Sequence, residues 1–339
     1  MKLVIISGGA GSRLWPLSNP ARTKPFIPLL DDGKQGRVSM IQRLWRQLEE
    51  AGLAGSALIV TGSDQAALVK EQLGEAVPVV AEPERRDTFP AVSLAVSYLF
   101  TGGAAAGNET VVILPADLYV EDRFFERIKE LDAIAAQPEI RMALIGVRPT
   151  HASARYGYIL PGEGGEAAGT DYRRVAAFCE KPSVEHAKAI MKQGALWNCG
   201  VFAFRLEYMV EQLKERAFPV FYDEVKASFA QFPKISFDYE VVEKTESLAV
   251  LPFEGEWKDL GSWDALSGML PSHLAGLGHA SPCSQNIHMI NELDIPVYVL
   301  GVSEIIVAAC AEGILIMNKK ESGRLGEWAR GLGRDGGES

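Results

Sequence analysis

Along the first half of the chain, short apolar runs of strand length alternate with stretches whose apolar residues recur at helical spacing. Leu3 to Ile6, Ala57 to Val60, Val77 to Val80, Val111 to Leu114 and Met142 to Val147 have the near-continuous apolar character of strands buried on both faces. Between them Met40, Ile41, Leu44, Trp45 and Leu48 repeat at helical intervals, as do Ala91, Leu94, Ala95 and Tyr98. Strand and helix taking turns in this way predict an α/β fold, with a mostly parallel sheet covered by helices.

The pattern changes near residue 150. A glycine-rich stretch from Gly162 to Gly169 separates Tyr158-Ile159-Leu160 from Arg174-Val175-Ala176-Ala177-Phe178, which predicts paired strands joined by a loop. After Trp263 a helix and a loop lead to four β-like pieces, Ile287 to Ile290, Val297 to Leu300, Ile305 to Ala308 and Ile314 to Ile316. We therefore expect a main domain over 1–268, a small β-rich appendage over 285–330 and a frayed tail over 331–339. An exposed edge of that appendage would suit pairing of two copies into a homodimer.

Composition narrows the class. Apolar residues make up 47% and charged ones 23%, which excludes a disordered or fibrous chain. The formal charge of −10 argues against a nucleic-acid partner, so any anion site must be built locally. Met1 leads straight into the first strand with no leader-like stretch, and runs such as Ile305 to Ala311 are far short of the roughly 20 residues that span a bilayer. Cys179, Cys199, Cys283 and Cys310 lie far apart, as free thiols in a reducing compartment do. A cytoplasmic protein without a membrane partner is expected.

The first strand ends in Ser7-Gly8-Gly9-Ala10-Gly11-Ser12-Arg13-Leu14-Trp15-Pro16. Gly8, Gly9 and Gly11 would let backbone N–H groups approach a polyphosphate, with Ser12 beside them and Arg13 adding charged donors; a tight turn is the plainer alternative. Pro16 and Pro20 oppose the helix a dinucleotide site needs, and no Gly-Lys-Ser/Thr follows, so neither the Rossmann dinucleotide pattern nor a P-loop fits. Asp117 ends the apolar strand Val112-Ile113-Leu114-Pro115, and a strand-end Asp is by itself as good a turn residue as a ligand. Glu82-Pro83 ends another predicted strand, and Asp87 or Thr88 could cap the helix that follows.

Taken in order, the segments resemble the sugar-1-phosphate nucleotidyltransferases, in particular their GDP-mannose-forming branch. The resemblance runs to about residue 265. It is carried by Leu14-Trp15-Pro16-Leu17-Ser18 with Lys24-Pro25-Phe26, Glu82-Pro83-Glu84-Arg85-Arg86-Asp87-Thr88-Phe89-Pro90-Ala91, Pro115-Ala116-Asp117, Tyr156-Gly157-Tyr158-Ile159, Phe178-Cys179-Glu180-Lys181-Pro182, Trp197-Asn198-Cys199-Gly200, Ser236-Phe237-Asp238-Tyr239 and Trp257-Lys258-Asp259-Leu260-Gly261-Ser262-Trp263. One departure is Leu118, where many members of the branch carry His.

The resemblance implies the nucleotide-diphospho-sugar transferase fold, a Rossmann-like, mostly parallel mixed sheet flanked by helices. It also implies transfer of GMP from GTP to mannose-1-phosphate. It assigns Gly8, Gly9, Gly11, Ser12, Arg13, Lys24, Glu82, Arg86, Thr88 and Pro90 to the nucleotide. Gly157, Glu180, Lys181 and Asn198 go to the sugar phosphate, and Asp117 and Asp259 to Mg²⁺, a cation that suits oxygen ligands. Arg13, Lys24 and Lys181 would be the catalytic cations, Cys199 would lie beside the sugar pocket where alkylation inhibits, and the Asp238 segment would serve mainly architecture. Two alternatives stay open: another sugar-1-phosphate, such as a heptose-1-phosphate, or a non-catalytic paralogue that senses nucleotide sugars.

Overall fold

The first apolar run becomes an inner strand of a nine-stranded sheet. In the computed structural model, residues 1–9, 14–31, 36–103, 107–269 and 274–325 are described. They form two compact units: Met1–Gly8, Leu44–Ala116 and Val120–Trp257 make the first, and Gly9–Arg43, Asp117–Tyr119 and the described residues from Lys258 onward make the second.

The strands of the first unit are β1 (Lys2–Ser7), β2 (Ala57–Gly62), β3 (Val79–Glu82), β4 (Thr110–Pro115), β5 (Met142–Val147), β6 (Tyr158–Ala167), β7 (Thr170–Cys179), β8 (Leu196–Arg205) and β9 (Leu248–Phe253). Their spatial order is β3-β2-β1-β4-β8-β5-β9-β7-β6. β1, β2, β3 and β4 form a parallel block, β5 and β9 a parallel pair, and β8 runs antiparallel to both β4 and β5. The sheet is mixed and mostly parallel, as expected. The completely buried β2 and β5 explain why those segments read as unbroken apolar runs.

The helix Thr88–Thr101 buries ten residues from Phe89 to Leu99, and its core includes Val4, Val60, Ile113 and Phe204 from the sheet. Asp87 caps it, its side chain accepting from Thr88 N at φ 70. Around the helix, Phe89, Phe218 and Phe232 pack together, the latter two stacked with centroids 4.3 Å apart.

One expectation is corrected here. Gly162, Gly164 and Gly165 lie within β6, not in a loop. The β6–β7 ladder continues to Ala167↔Thr170, and the reversal takes only Ala168 and Gly169, at φ 50 and 81. Two consecutive positive φ values match the twist of the flanking strands. The glycines have a packing reason: a Cβ on Gly165 would lie 2.5 Å from Cζ of Tyr172 across the ladder.

The second unit has its own core. Leu14, Leu17, Ile27, Leu29, Leu30 and Val38 share it with Leu260, Trp263, Leu266, Ile290, Ile306 and Ala308. Its β-rich part is a four-stranded sheet in the order Leu274–Ala275, His288–Asn291, Ile305–Cys310, Gly313–Asn318. The first three of these strands are parallel and the last closes an antiparallel hairpin. A second parallel pair, Gly278–Ala280 with Val297–Val299, alternates with them along the chain. The expected all-β appendage is present, wound as a short parallel coil.

Candidate active site

In the first unit the parallel block delivers Ser7, Gly62, Glu82 and Pro115 to one edge, the carboxyl ends of β1, β2, β3 and β4. Ligands of open α/β sheets bind at such an edge. Gly8 follows directly, and a Cβ on Gly8 would meet nothing within 4 Å, so its backbone is approachable. Gly9, the first residue of the second unit, is equally open at φ 129. Gly11, Ser12 and Arg13 lie outside the described residues.

Glu82 is 5% exposed, and burial pushes its carboxyl up to about 7, against the pull of Arg85 and with a push from Asp87. Arg86 Nε donates to Phe232 O at 2.8 Å, and its Nη1 pairs with Glu84 at 2.9 Å. Thr88 Oγ1 accepts from Phe237 N at 2.8 Å, and Pro90 is buried in the first helical turn. Arg86 and Thr88 thereby tie the loop after β3 to the 232–237 segment.

A second group in the same unit gathers the sugar-assigned residues. β8 is irregular between Asn198 and Phe202, where four residues of one strand span two of β5, with Gly200 at φ 77. Residues 199–201 leave the ladder, and Asn198 is the last residue paired with β5 before the bulge. Its N–H donates to Gly157 O at 2.8 Å, its Nδ2 donates to Asp238 Oδ1 at 2.6 Å, and its Oδ1 accepts from Gly200 N at 3.0 Å. Lys181, at φ 47, donates from Nζ to Glu180 Oε1 at 2.7 Å and lies 5.5 Å from the Tyr239 ring.

Burial raises the Glu180 carboxyl, with Asp238 pushing the same way and Lys181 pulling back. Asp238 is raised mainly by burial too, while the Asn198 bond lowers it. For Lys181, burial opposes the charge but its bond to Glu180 carries the net shift upward. Glu180 Oε2 is buried without a partner among the described residues. The cluster holds fixed positive charge on an exposed lysine tip beside acceptors sheltered from water, which is suited to a phosphorylated polyol.

Cys199 is corrected. It points inward from the bulge, 5% exposed, with its thiol donating to Ile145 O at 3.2 Å and pushed up to about 12 by burial. Such a thiol is inert to alkylation. Sequence reasoning also missed an aromatic cluster of His151, Tyr156, Trp197 and Trp257, with the Tyr156 and Trp197 rings 4.6 Å apart. The signal was present, since Tyr156, Trp197 and Trp257 are themselves motif residues.

In the second unit, Lys24 opens a 3-10 turn, Lys24–Phe26, whose Pro25 and Phe26 are buried. Lys24 Nζ sits 2.6 Å from Asp117 Oδ2 and 3.6 Å from Asp259 Oδ1. Asp117 directly precedes the short strand Leu118–Val120, which pairs with Trp257–Asp259. Two carboxylates thus converge on one cation, and the ammonium shows that the pair accommodates positive charge. Two oxygen donors are what a hard divalent cation takes from protein when phosphates and water complete its shell. No cluster of three or more His, Cys, Asp or Glu side chains with metal-binding geometry occurs among the described residues. The two carboxylates are oxygen donors of the kind a hard divalent cation takes.

Leu118 is 4% exposed, a buried apolar side chain next to Asp117. Arg43, which lies outside every motif, and Lys258, which lies inside one, flank the Tyr119 ring at 4.3 and 5.8 Å. Among the described residues no helix is long and apolar enough to cross a membrane.

Comparison with known proteins identifies the family. The nucleotidyl transferase family model matches residues 2–274. The mannose-1-phosphate guanylyltransferase RfbM of Salmonella typhimurium is 31% identical over 345 residues, 93% of this chain and 69% of that protein. The xanthan biosynthesis protein XanB of Xanthomonas campestris is 33% identical over 286 residues, 78% of this chain but 58% of its own length. A solved structure described as mannose-1-phosphate geranyltransferase from Thermus thermophilus superposes with TM-score 0.81 at 30% identity, covering 98% of this chain and 99% of that one. The chain therefore spans little more than half to about two thirds of the two curated relatives, and nearly all of the solved one. Its fold, the converging carboxylates and these matches make it a member of the nucleotidyl transferase family.

Proposed function

We propose that the chain transfers GMP from GTP to mannose-1-phosphate, releasing pyrophosphate and forming GDP-mannose. The observation that carries the reaction class is the pair Asp117 and Asp259 sharing Lys24. GTP and mannose-1-phosphate are supported by the names of similar proteins. A sugar-phosphate oxygen attacks the α-phosphorus, the bond to the β,γ-pyrophosphate breaks in line with it, and no protein nucleophile is required.

The residues divide the work by charge. Lys181 holds the incoming phosphate, while Glu180, Asn198 and the Gly157 backbone receive the sugar. Glu82 lies where the base is expected, with Arg86, Thr88 and Pro90 shaping that loop. Lys24 and Arg13 offset the charge of the departing pyrophosphate, and Gly8, Gly9, Gly11 and Ser12 offer backbone donors to the triphosphate. Mg²⁺ held by Asp117 and Asp259 supplies, when bound, neutralisation of the phosphate charge.

The test is pyrophosphate release with Mg²⁺ over a grid of nucleoside triphosphates and sugar-1-phosphates. A maximum at GTP with mannose-1-phosphate is expected, with Lys24→Ala and Asp259→Asn slower by on the order of 10²–10³-fold. A maximum at another pair overturns the substrates, and silence across the grid overturns the reaction. Near-normal rates in both variants overturn the site.

A further inference from the structure

The space over Gly157 is defined from two sides. A Cβ built on Gly157 would lie 2.3 Å from Glu180 Oε2, 3.2 Å from Asn198 Cβ and 3.4 Å from Asn198 Nδ2. Glu180 is 8% exposed, and its Oε2 has no hydrogen-bond partner among the described residues while Oε1 is taken by Lys181. A buried acceptor and an amide nitrogen therefore both border Gly157, where only the absence of a side chain leaves them room. A hydroxyl group, which gives one hydrogen bond and accepts others, is the natural complement of an acceptor and a donor so placed.

The donor exists only while the Asn198 amide faces one way. A half-turn of the amide would put its oxygen beside Glu180 Oε2, two acceptors side by side, and the site would reject a hydroxyl. Two bonds prevent that turn. Asn198 Nδ2 donates to Asp238 Oδ1 at 2.6 Å, and a carboxylate accepts but does not donate. Asn198 Oδ1 accepts from Gly200 N at 3.0 Å, and a backbone N–H donates but does not accept. With one hydrogen of Nδ2 given to Asp238, the other is left for a ligand.

We propose that Asp238 is a positioning residue that sets hydroxyl selectivity. It locks the Asn198 amide so that its second N–H, together with Glu180 Oε2, recognises one particular hydroxyl of the sugar-1-phosphate. The inference rests on the sugar-phosphate reading of this cluster and deepens it. Asp238 sits at the start of the short helix Phe237–Glu240, which Ser236 caps through its side chain, so the lock is built into the fold and does not depend on a mobile loop.

The experiment compares wild type with Asp238→Ala and Asp238→Asn for kcat and KM on the parent sugar-1-phosphate, on the nucleoside triphosphate, and on deoxy analogues each lacking one hydroxyl. Wild type should reject one analogue by about 100-fold or more in kcat/KM, because a site built to bond a hydroxyl leaves buried groups unpaired without it. In Asp238→Ala the KM for the parent sugar phosphate should rise about tenfold or more, and rejection of that one analogue should shrink by a similar factor. The KM for the triphosphate should stay put. Asp238→Asn, whose amide oxygen still accepts from Asn198, should restore the selectivity. If Asp238→Ala fails to fold, Asp238→Ser, which is too short to reach Asn198, takes its place. Unchanged selectivity in the truncated variant, an Asn variant as impaired as the Ala one, or an active wild type indifferent to every deoxy analogue each overturns the inference alone. A wild type inactive on all sugar-1-phosphates overturns the proposed function and the inference with it.

Discussion

At the end of β3 the Glu82 side chain is almost out of reach of water, and burial holds its carboxyl at about 7 where an unfolded chain would titrate near 4.5. Between those values the folded chain keeps a proton that the unfolded chain has lost. Stability therefore falls as pH rises through that window, and above it the whole penalty is present. Glu82→Gln should match wild type in denaturant unfolding near pH 4 and exceed it by on the order of 3 kcal/mol near pH 8. Equal stability at the higher pH would show that the carboxylate is solvated after all. The chemistry of single positions was legible at the helix start, where Asp87 or Thr88 was expected to cap and Asp87 does. It was not legible at Cys199, because a two-residue irregularity in β8 decides which side of the sheet that thiol faces, and a bulge leaves no mark in the apolar pattern.

At the scale of elements, existence was easier to read than pairing. Continuous apolar runs announce buried strands, and β1, β2, β4 and β5 lie where those runs are. The β6–β7 hairpin was drawn with too long a loop because Gly165, read as a loop residue, accommodates the Tyr172 ring, a contact across the ladder and not along the chain. The appendage strands were visible, but their parallel winding was not, since period-2 alternation is the same for either direction. Within the second unit, Gly313 begins the last strand at φ 153, and a Cβ there would lie 2.9 Å from the Trp15 ring. Trp263 Nε1 donates to Trp15 O, and the Cys310 thiol donates to Pro16 O. Gly313→Val should lower stability by about 1–3 kcal/mol through overpacking and a strained backbone. A thermal melt unchanged from wild type would mean that the Trp15 ring gives way freely.

At the scale of the whole molecule, the order of motifs along the sequence indicated the family, because each motif reads locally. The division into units was hidden, because no local pattern says that residues 14–43 share a core with residues beyond 258. The outer strand Gly313–Asn318 carries Ile314 and Ile316 at 58% and 68% exposed, on an edge of its sheet that pairs with no other described strand. Such an edge invites a second strand, so we expect a homodimer in light scattering that Ile316→Lys converts to monomer. A wild-type monomer, or a variant that stays dimeric, would place any self-association elsewhere.

The core of the second unit also sets a timetable. Pro16 and its partner Cys310 are 294 residues apart. At about 5–20 residues per second, the Leu14–Leu30 stretch leaves the ribosome roughly fifteen seconds to a minute before its partners exist. During that interval its leucines and isoleucines have no native cover, while the β1–β4 block, drawn from the first 115 residues, can already assemble. The segment that carries Lys24 is thus among the first made and the last to be enclosed, and a chain interrupted before residue 290 would lack Ile290, Ile306 and Ala308 and leave that core incomplete.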